Sequence, residues 1–477
     1  MKRPAQTTTK SNSNRAPQRG TTGAERKTGA PGQHSAADSF LTKVRFCTQI
    51  WDFKEDSHAE EKNKRLRCLE EISAMLQNNQ QVAEFFIPNL GVLIEMIKVN
   101  IFRPLPVVKK AGPAEDMTGL EEETPADKSW PHLQPVYEFF LQLIVNDQAD
   151  VKSLKGYVTS SFVQHFLGLF DSEELTEREY LKNILHRLYA KLVPRRKMIR
   201  SEVTNTFYTL IHEIYKFNGA AELLDIFASI ISGFAVPLRD EHVVFFKTVI
   251  IPLHKVQTCH KFHNELLRCS MLFVSKDPLL AFDLILGLLK YWPFASFGKE
   301  TLFLAELLEV MDVCDITKLD PHIEPLFTRL IKCIASPHLQ VSDRAMCFFE
   351  NDFFLAILRQ YKTKIFPIMV PVIHVLCDIH WHKLLQDSLG ALRNILRDID
   401  PALFDKYVTT EQMKNCKFLY LVQTPEETMT KRQVHEKQWR ELESQAAIKN
   451  KNFVRPDIPY SEEHIVGEHN GLYNGNV

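Results

Sequence analysis

The sequence predicts an all-α protein assembled from helical repeats. Three observations carry that expectation: apolar residues recur at helical spacing through most of the chain, strand-like alternation between hairpin turns is nearly absent, and helix stops and starts come roughly every 20 residues. Two such helices make a unit of about 40 residues, the length of HEAT or armadillo repeats, whose stacking buries one continuous core. Identity between the units is too weak to align them, so the assignment rests on spacing, and an irregular all-α globule is the alternative.

The elements follow in order. Residues 1–38 hold almost no large apolar side chain and carry seven Lys or Arg against two acids, so they cannot repay the entropy of ordering and form a disordered, mildly basic Ser/Thr/Pro-rich tail. The repeat body runs from 39 to 422. Its clearest stripe is Leu181, Ile184, Leu185, Leu188 and Leu192, one face of a helix; similar stripes recur at 60–78, 135–147, 205–217, 220–234, 243–252, 279–291, 301–313, 322–334, 364–377 and 383–397. Asp320-Pro321, Ser336-Pro337 and Asp400-Pro401 place a capping side chain and a proline where helices should begin. An acidic loop interrupts the body at 111–129. Thr424-Pro425-Glu426-Glu427 opens a charged helix within 423–449, and 450–477 form a loosely ordered tail.

Composition narrows the function. Lys and Arg number 58 and Asp and Glu 59, so no field of one sign points to nucleic acid or an anionic membrane as the main partner. The richest apolar stretches, 220–236 and 365–377, are broken by Asp225 and by Pro367 and Pro371, so no membrane insertion is expected. Nine cysteines without a CxxC pair, and no secretory pattern, fit reduced thiols in a cytoplasmic and/or nuclear protein.

No phosphate loop, dinucleotide fingerprint or nucleophile elbow is present. His212-Glu213 lacks the second histidine of a zinc-protease helix. Cys377, His380 and His382 fit helix-end packing better than zinc, and His260 and His263 fit polar loop positions. No catalytic residue, metal or cofactor is expected.

Charge is nevertheless concentrated in one place. Arg187, Lys191, Arg195, Arg196, Lys197 and Arg200 fall within one short stretch that contains no acid, with His186 and Tyr189 beside them. Further on, Ile226 and Ile230 stand at helical spacing, and Arg239 and His242 follow Pro237. Adjacent repeats can bring these stretches face to face, as apolar pockets rimmed by guanidinium groups suited to an acidic or phosphorylated peptide with aliphatic anchors. The alternative is that Ile226 and Ile230 are core and the basic run is a solvated face.

Around these residues the chain resembles a known family. Glu179-Tyr-Leu-Lys-Asn-Ile-Leu-His-Arg-Leu-Tyr-Ala-Lys191 is similar to a helix of the B-prime regulatory subunits of protein phosphatase type 2A. Further matches keep the family's order: Asn100-Ile-Phe-Arg-Pro-Leu-Pro106, Val136-Tyr-Glu-Phe-Phe140, Leu169-Phe-Asp-Ser-Glu173, Asn218-Gly219, Pro252-Leu-His-Lys-Val256, Leu288-Leu-Lys-Tyr-Trp-Pro293, Ser336-Pro-His338 and His380-Trp381.

The resemblance implies a superhelical α-solenoid of about eight HEAT-like repeats. It further implies a non-catalytic subunit that joins a scaffold (A) subunit and a catalytic (C) subunit in a heterotrimer. Substrates or adaptors would be recruited through acidic or phosphorylated Leu-x-x-Ile-x-Glu-type motifs. Carried over by position, the groove residues are His186, Arg187, Tyr189, Arg196, Ile226, Ile230, Arg239 and His242. Arg239 replaces the family's usual Lys. A karyopherin- or armadillo-like transport or scaffolding solenoid is the alternative, but such receptors select basic cargo, opposite to this basic cluster.

Overall fold

The computed structural model describes residues 36–51, 57–105, 129–213, 217–294, 296–414, 416–422 and 425–450. The acidic loop up to residue 128, the tail before residue 36 and the tail after residue 450 lie outside the described residues. Every regular element among those described is helical. No described helix is long and apolar enough to cross a membrane.

The first of two compact units ends at Asn100. It holds α1 (Ala36–Cys47) and α2 (Ala59–Met75), and most of α3 (Leu90–Ile101). The first helix thus starts before Ser39, inside the stretch expected to be tail, because Phe40, Val44 and Cys47 give it an apolar face to bury. Arg65 is 2% exposed and is held by the side chain of Asn100, whose amide also donates to the Cys47 carbonyl at 3.0 Å. A buried guanidinium is tolerated because carbonyl oxygens surround it.

The second unit carries the remaining helices in two layers. In the first layer α4 (Trp130–Val145), α6 (Leu175–Lys191), α8 (Ala220–Ser232), α11 (His263–Lys276), α13 (Phe297–Asp312), α15 (Leu339–Met346) and α18 (Lys383–Ile399) pack each on the next. The second layer runs through α5 (Ser160–Gly168), α7 (Arg196–His212), a run made of α9 (Asp240–Phe245), a π-helical Phe246–Ile250 and α10 (Ile251–Leu253), then α12 (Leu280–Lys290), α14 (Ile323–Ile334) and α17 (Lys362–Ile379). Between α15 and α17 lies α16 (Asp352–Gln360); after α18 come α19 (Pro401–Val408) and α20 (Pro425–Lys449). This is the nearest-neighbour stacking of an α-solenoid.

Polar ties repeat along the stack at nearly constant spacing. Arg178 meets Glu222 44 residues on at 2.8 Å, Lys299 reaches the Val256 carbonyl across 43 at 2.7 Å, and Tyr361 reaches the Ile316 carbonyl across 45 at 2.7 Å. One helix pair per unit of that length is what the stripes required, and Leu181, Ile184, Leu185, Leu188 and Leu192 are all buried.

Helix starts follow the sequence in part. Asp400 accepts from the Leu403 N–H at 3.0 Å and opens α19 with Pro401 at its first position. Asp320 departs from expectation: its carboxylate pairs with Lys364 at 2.7 Å, and Asp320–His322 forms a 3-10 turn ahead of α14. Ser336 Oγ accepts from the His338 N–H at 3.3 Å in the turn before α15.

Candidate functional site

The basic stretch lies where α6 ends and α7 begins, and its side chains divide by what they touch. A helix C-terminus presents unpaired carbonyls and the negative end of its dipole, so cations gather there. Lys191 donates to the Ile144 and Asn146 carbonyls at the end of α4, at 2.6 and 2.7 Å. Arg196 donates to the Tyr189 and Ala190 carbonyls at the end of α6, both at 3.0 Å, with its guanidinium 5.3 Å from the Tyr189 ring centroid. Lys276 does the same for α8, reaching the Ser232 and Phe234 carbonyls. Much of the run therefore neutralises helix ends.

Arg187, Lys197 and Arg200 meet neither an acid nor a helix-end carbonyl. His186 and Arg187 are exposed on α6 and have no hydrogen-bond or ion-pair partner among the described residues. Lys197 is exposed as well. Arg200 is half-buried and donates to the Tyr189 hydroxyl at 3.0 Å, which fixes both side chains.

The ion pairs Arg178–Glu222 and Lys182–Asp225 set α6 and α8 parallel. Carried along both helices, that register puts His186 level with Ile230 and Tyr189 level with Gly233. Beyond Gly233 the chain turns through Phe234 into α9, where the His242 ring lies flat on Phe234 with centroids 3.7 Å apart. His242 is 6% exposed, and neither ring nitrogen has a hydrogen-bond partner among the described residues; Glu241 stays 3.5 Å away. Burial pushes its proton affinity down, Arg239 and then Arg200 add to this, and Glu241 opposes it. Arg239 is three-quarters exposed and pairs with Glu241 at 3.2 Å.

Tyr189, Arg196, Arg200, His242 and Arg239 thus share one basic neighbourhood. Ile226 and Ile230 sit differently from the expected pocket lining: at 4% and 8% exposure they belong to the core of α8. Only the edge of Ile230 is open to an apolar anchor. The contribution of Arg200 went unassigned in the sequence because its link to Tyr189 crosses the bend between α6 and α7. Phe234, the platform for His242, carried no signal of its own in the sequence.

The histidines weighed as metal ligands have other roles. His380 Nδ1 accepts from the His382 N–H at 3.1 Å and stacks on Trp381. His263, expected in a polar loop, is instead the buried first residue of α11, 2.9 Å from Glu306. Among the described residues no group of three His, Cys, Asp or Glu is arranged to hold a metal ion.

The family model described as protein phosphatase 2A regulatory B subunit (B56 family) matches residues 27–446. Curated relatives include the 57 kDa B' beta isoform of the serine/threonine protein phosphatase 2A regulatory subunit from Arabidopsis thaliana, 37% identical over 381 residues, which are 79% of this chain and 76% of the relative. The 59 kDa B' eta isoform of the same plant is 39% identical over 368 residues, 76% of this chain and 72% of the relative. The human 56 kDa delta isoform is 36% identical over 383 residues, 79% of this chain and 62% of the relative.

Proposed function

Because the chain belongs to the B56 family of protein phosphatase 2A regulatory B subunits, we propose that it joins a scaffold subunit and a catalytic subunit and brings substrates to them. It is a regulatory subunit, without catalysis of its own. Recruitment raises the local concentration of substrate at the phosphatase, which is the whole of the rate advantage such a subunit needs.

The proposed recruiting site is the strip between α6 and the end of α8, continued by α9. One observation carries it: Arg187, Lys197 and Arg200 have no acidic partner, and neither ring nitrogen of the buried His242 has a hydrogen bond among the described residues. A buried polar atom without a hydrogen bond costs about 1–3 kcal/mol, which a ligand carboxylate or phosphate would recover. Arg187 would meet such a group bidentately, while Tyr189 and the edge of Ile230 take an aliphatic anchor. An acidic or phosphorylated Leu-x-x-Ile-x-Glu peptide has that chemistry. The transport-receptor alternative calls for an acidic groove, and family membership favours the phosphatase role.

Copurification of the full chain from cells at mild salt tests the assignment. A serine/threonine phosphatase catalytic subunit is expected in the complex, and its absence would overturn the role.

A further inference from the structure

The helical run that begins with α9 closes at Leu253, and His254 follows it into the core. Its ring is fully buried, as is the Glu306 carboxylate on α13, and His263 at the start of α11 is 3% exposed. His254 Nδ1 lies 3.0 Å from the Ile251 carbonyl oxygen, and Nε2 lies 3.1 Å from each oxygen of Glu306. His263 Nε2 approaches Glu306 Oε2 to 2.9 Å, a charge contact without hydrogen-bond geometry.

Carbonyl and carboxylate oxygens only accept hydrogen bonds. With Glu306 ionised, both ring nitrogens of His254 donate, and the ring is an imidazolium. An unpaired charge at this depth would be expelled or neutralised, so each partner holds the other in place. The wall also holds Phe303, Cys259 and Lys299, whose proton affinity burial lowers. Phe303 stands edge-on to His254 with centroids 5.6 Å apart. Lys299, also on α13, gives its ammonium to the Val256 carbonyl at 2.7 Å. The Cys259 thiol, in the turn Gln257–Lys261, is pushed up to about 12 by burial and stays uncharged.

We propose that His254, Glu306 and His263 form a proton-holding joint between α10, α11 and α13, docked through a proton on His254 and loosened when alkaline solution removes it. Two shifts support the geometry. Burial opposes charge on His254, but Glu306 outweighs it and raises the proton affinity above the ordinary histidine value of 6.5. The two histidines hold Glu306 at about 2 against its own burial.

The signs give a window. The His254 contribution is complete below 6.5 and is lost as pH rises through the raised folded-state value. The Glu306 contribution is present above 4.5 and is lost as pH falls toward about 2. The joint is therefore strongest between those limits, and its physiological exposure is on the alkaline side.

Thermal unfolding of the full chain, wild type, Glu306→Gln and His254→Gln, from about pH 5 to pH 9 tests the joint. The wild type should lose several degrees as pH rises above 6.5, and both variants should be less stable at every pH but lose that alkaline fall. Parallel curves would overturn the proposal. Where a variant does not fold, exchange of the His254 ring C2 hydrogen in the wild type decides. It is read by mass spectrometry in the tryptic peptide 248–255, which has no other histidine. A midpoint above 6.5 is expected, and one at or below 6.5 would overturn the joint.

Discussion

At the scale of the residue, the same positive charge serves two ends. Arg196 lies in the proposed site by position, yet its guanidinium already binds two carbonyls at the end of α6. Arg196→Ala should lower stability by about 1 kcal/mol, the net worth of hydrogen bonds to a helix terminus, and weaken acidic-peptide binding less than loss of Arg187 does. Chemical denaturation and peptide titration on the same variant would separate the two effects. His242 makes a pH prediction. Burial and two arginines lower its proton affinity below the ordinary 6.5, so it is neutral at pH 7 without ligand. An acid bound against it would raise that affinity, so binding takes up a proton. Peptide affinity should then strengthen from about pH 7.5 to pH 6, by up to about tenfold where the bound acid makes the imidazole a tenfold stronger base. His242→Gln should flatten the dependence, and parallel slopes would remove His242 from the contact.

Among the elements, the short motifs that look like isolated signatures in the sequence turn out to be contacts with one another. Asn218 donates its backbone N–H to the Asp171 carboxylate at 3.2 Å and its side-chain amide to the Asp171 carbonyl at 3.0 Å. A Cβ on Gly219 would stand 2.4 Å from Phe170 Cβ and 2.7 Å from its carbonyl oxygen. Gly219→Ala should therefore cost about 1–3 kcal/mol, measurable as a lower unfolding midpoint. Glu177 is fully buried and accepts from Arg103 at 2.7 and 3.1 Å and from the Tyr137 hydroxyl at 2.6 Å, so it ties α6 to α4 and the segment after α3. Glu177→Gln leaves that guanidinium without its counterion and should cost about 3 kcal/mol in denaturant unfolding. Helix stripes made α6, α8 and α14 legible because one face of each is apolar and nothing else competes. The start of α11 was not, since His263 looks like a polar loop residue until Glu306, more than forty positions away, is brought beside it. Ile226 and Ile230 were ambiguous for the opposite reason: an apolar pair at helical spacing serves a core and a groove equally well.

For the whole molecule, spacing gave the repeat and its stacking, because each unit needs a neighbour on both sides to bury its apolar faces. It could not single out a site. That required knowing which cations in the basic stretch are committed to helix ends and which lack an acid, a distinction made by three-dimensional contacts alone. Lys191, Arg196 and Lys276 each neutralise a helix end, which leaves Arg187, Lys197 and Arg200 as the free positive charge of the proposed strip. This strip is where an acidic peptide is proposed to bind. A labelled Leu-x-x-Ile-x-Glu peptide is titrated against the wild type, Arg187→Glu and, as a charge control from α20, Lys431→Glu. Arg187→Glu should lose more than about 1.5 kcal/mol of binding, the scale of a charge-assisted hydrogen bond, and Lys431→Glu almost none. Equal affinity for the wild type and Arg187→Glu would contradict it.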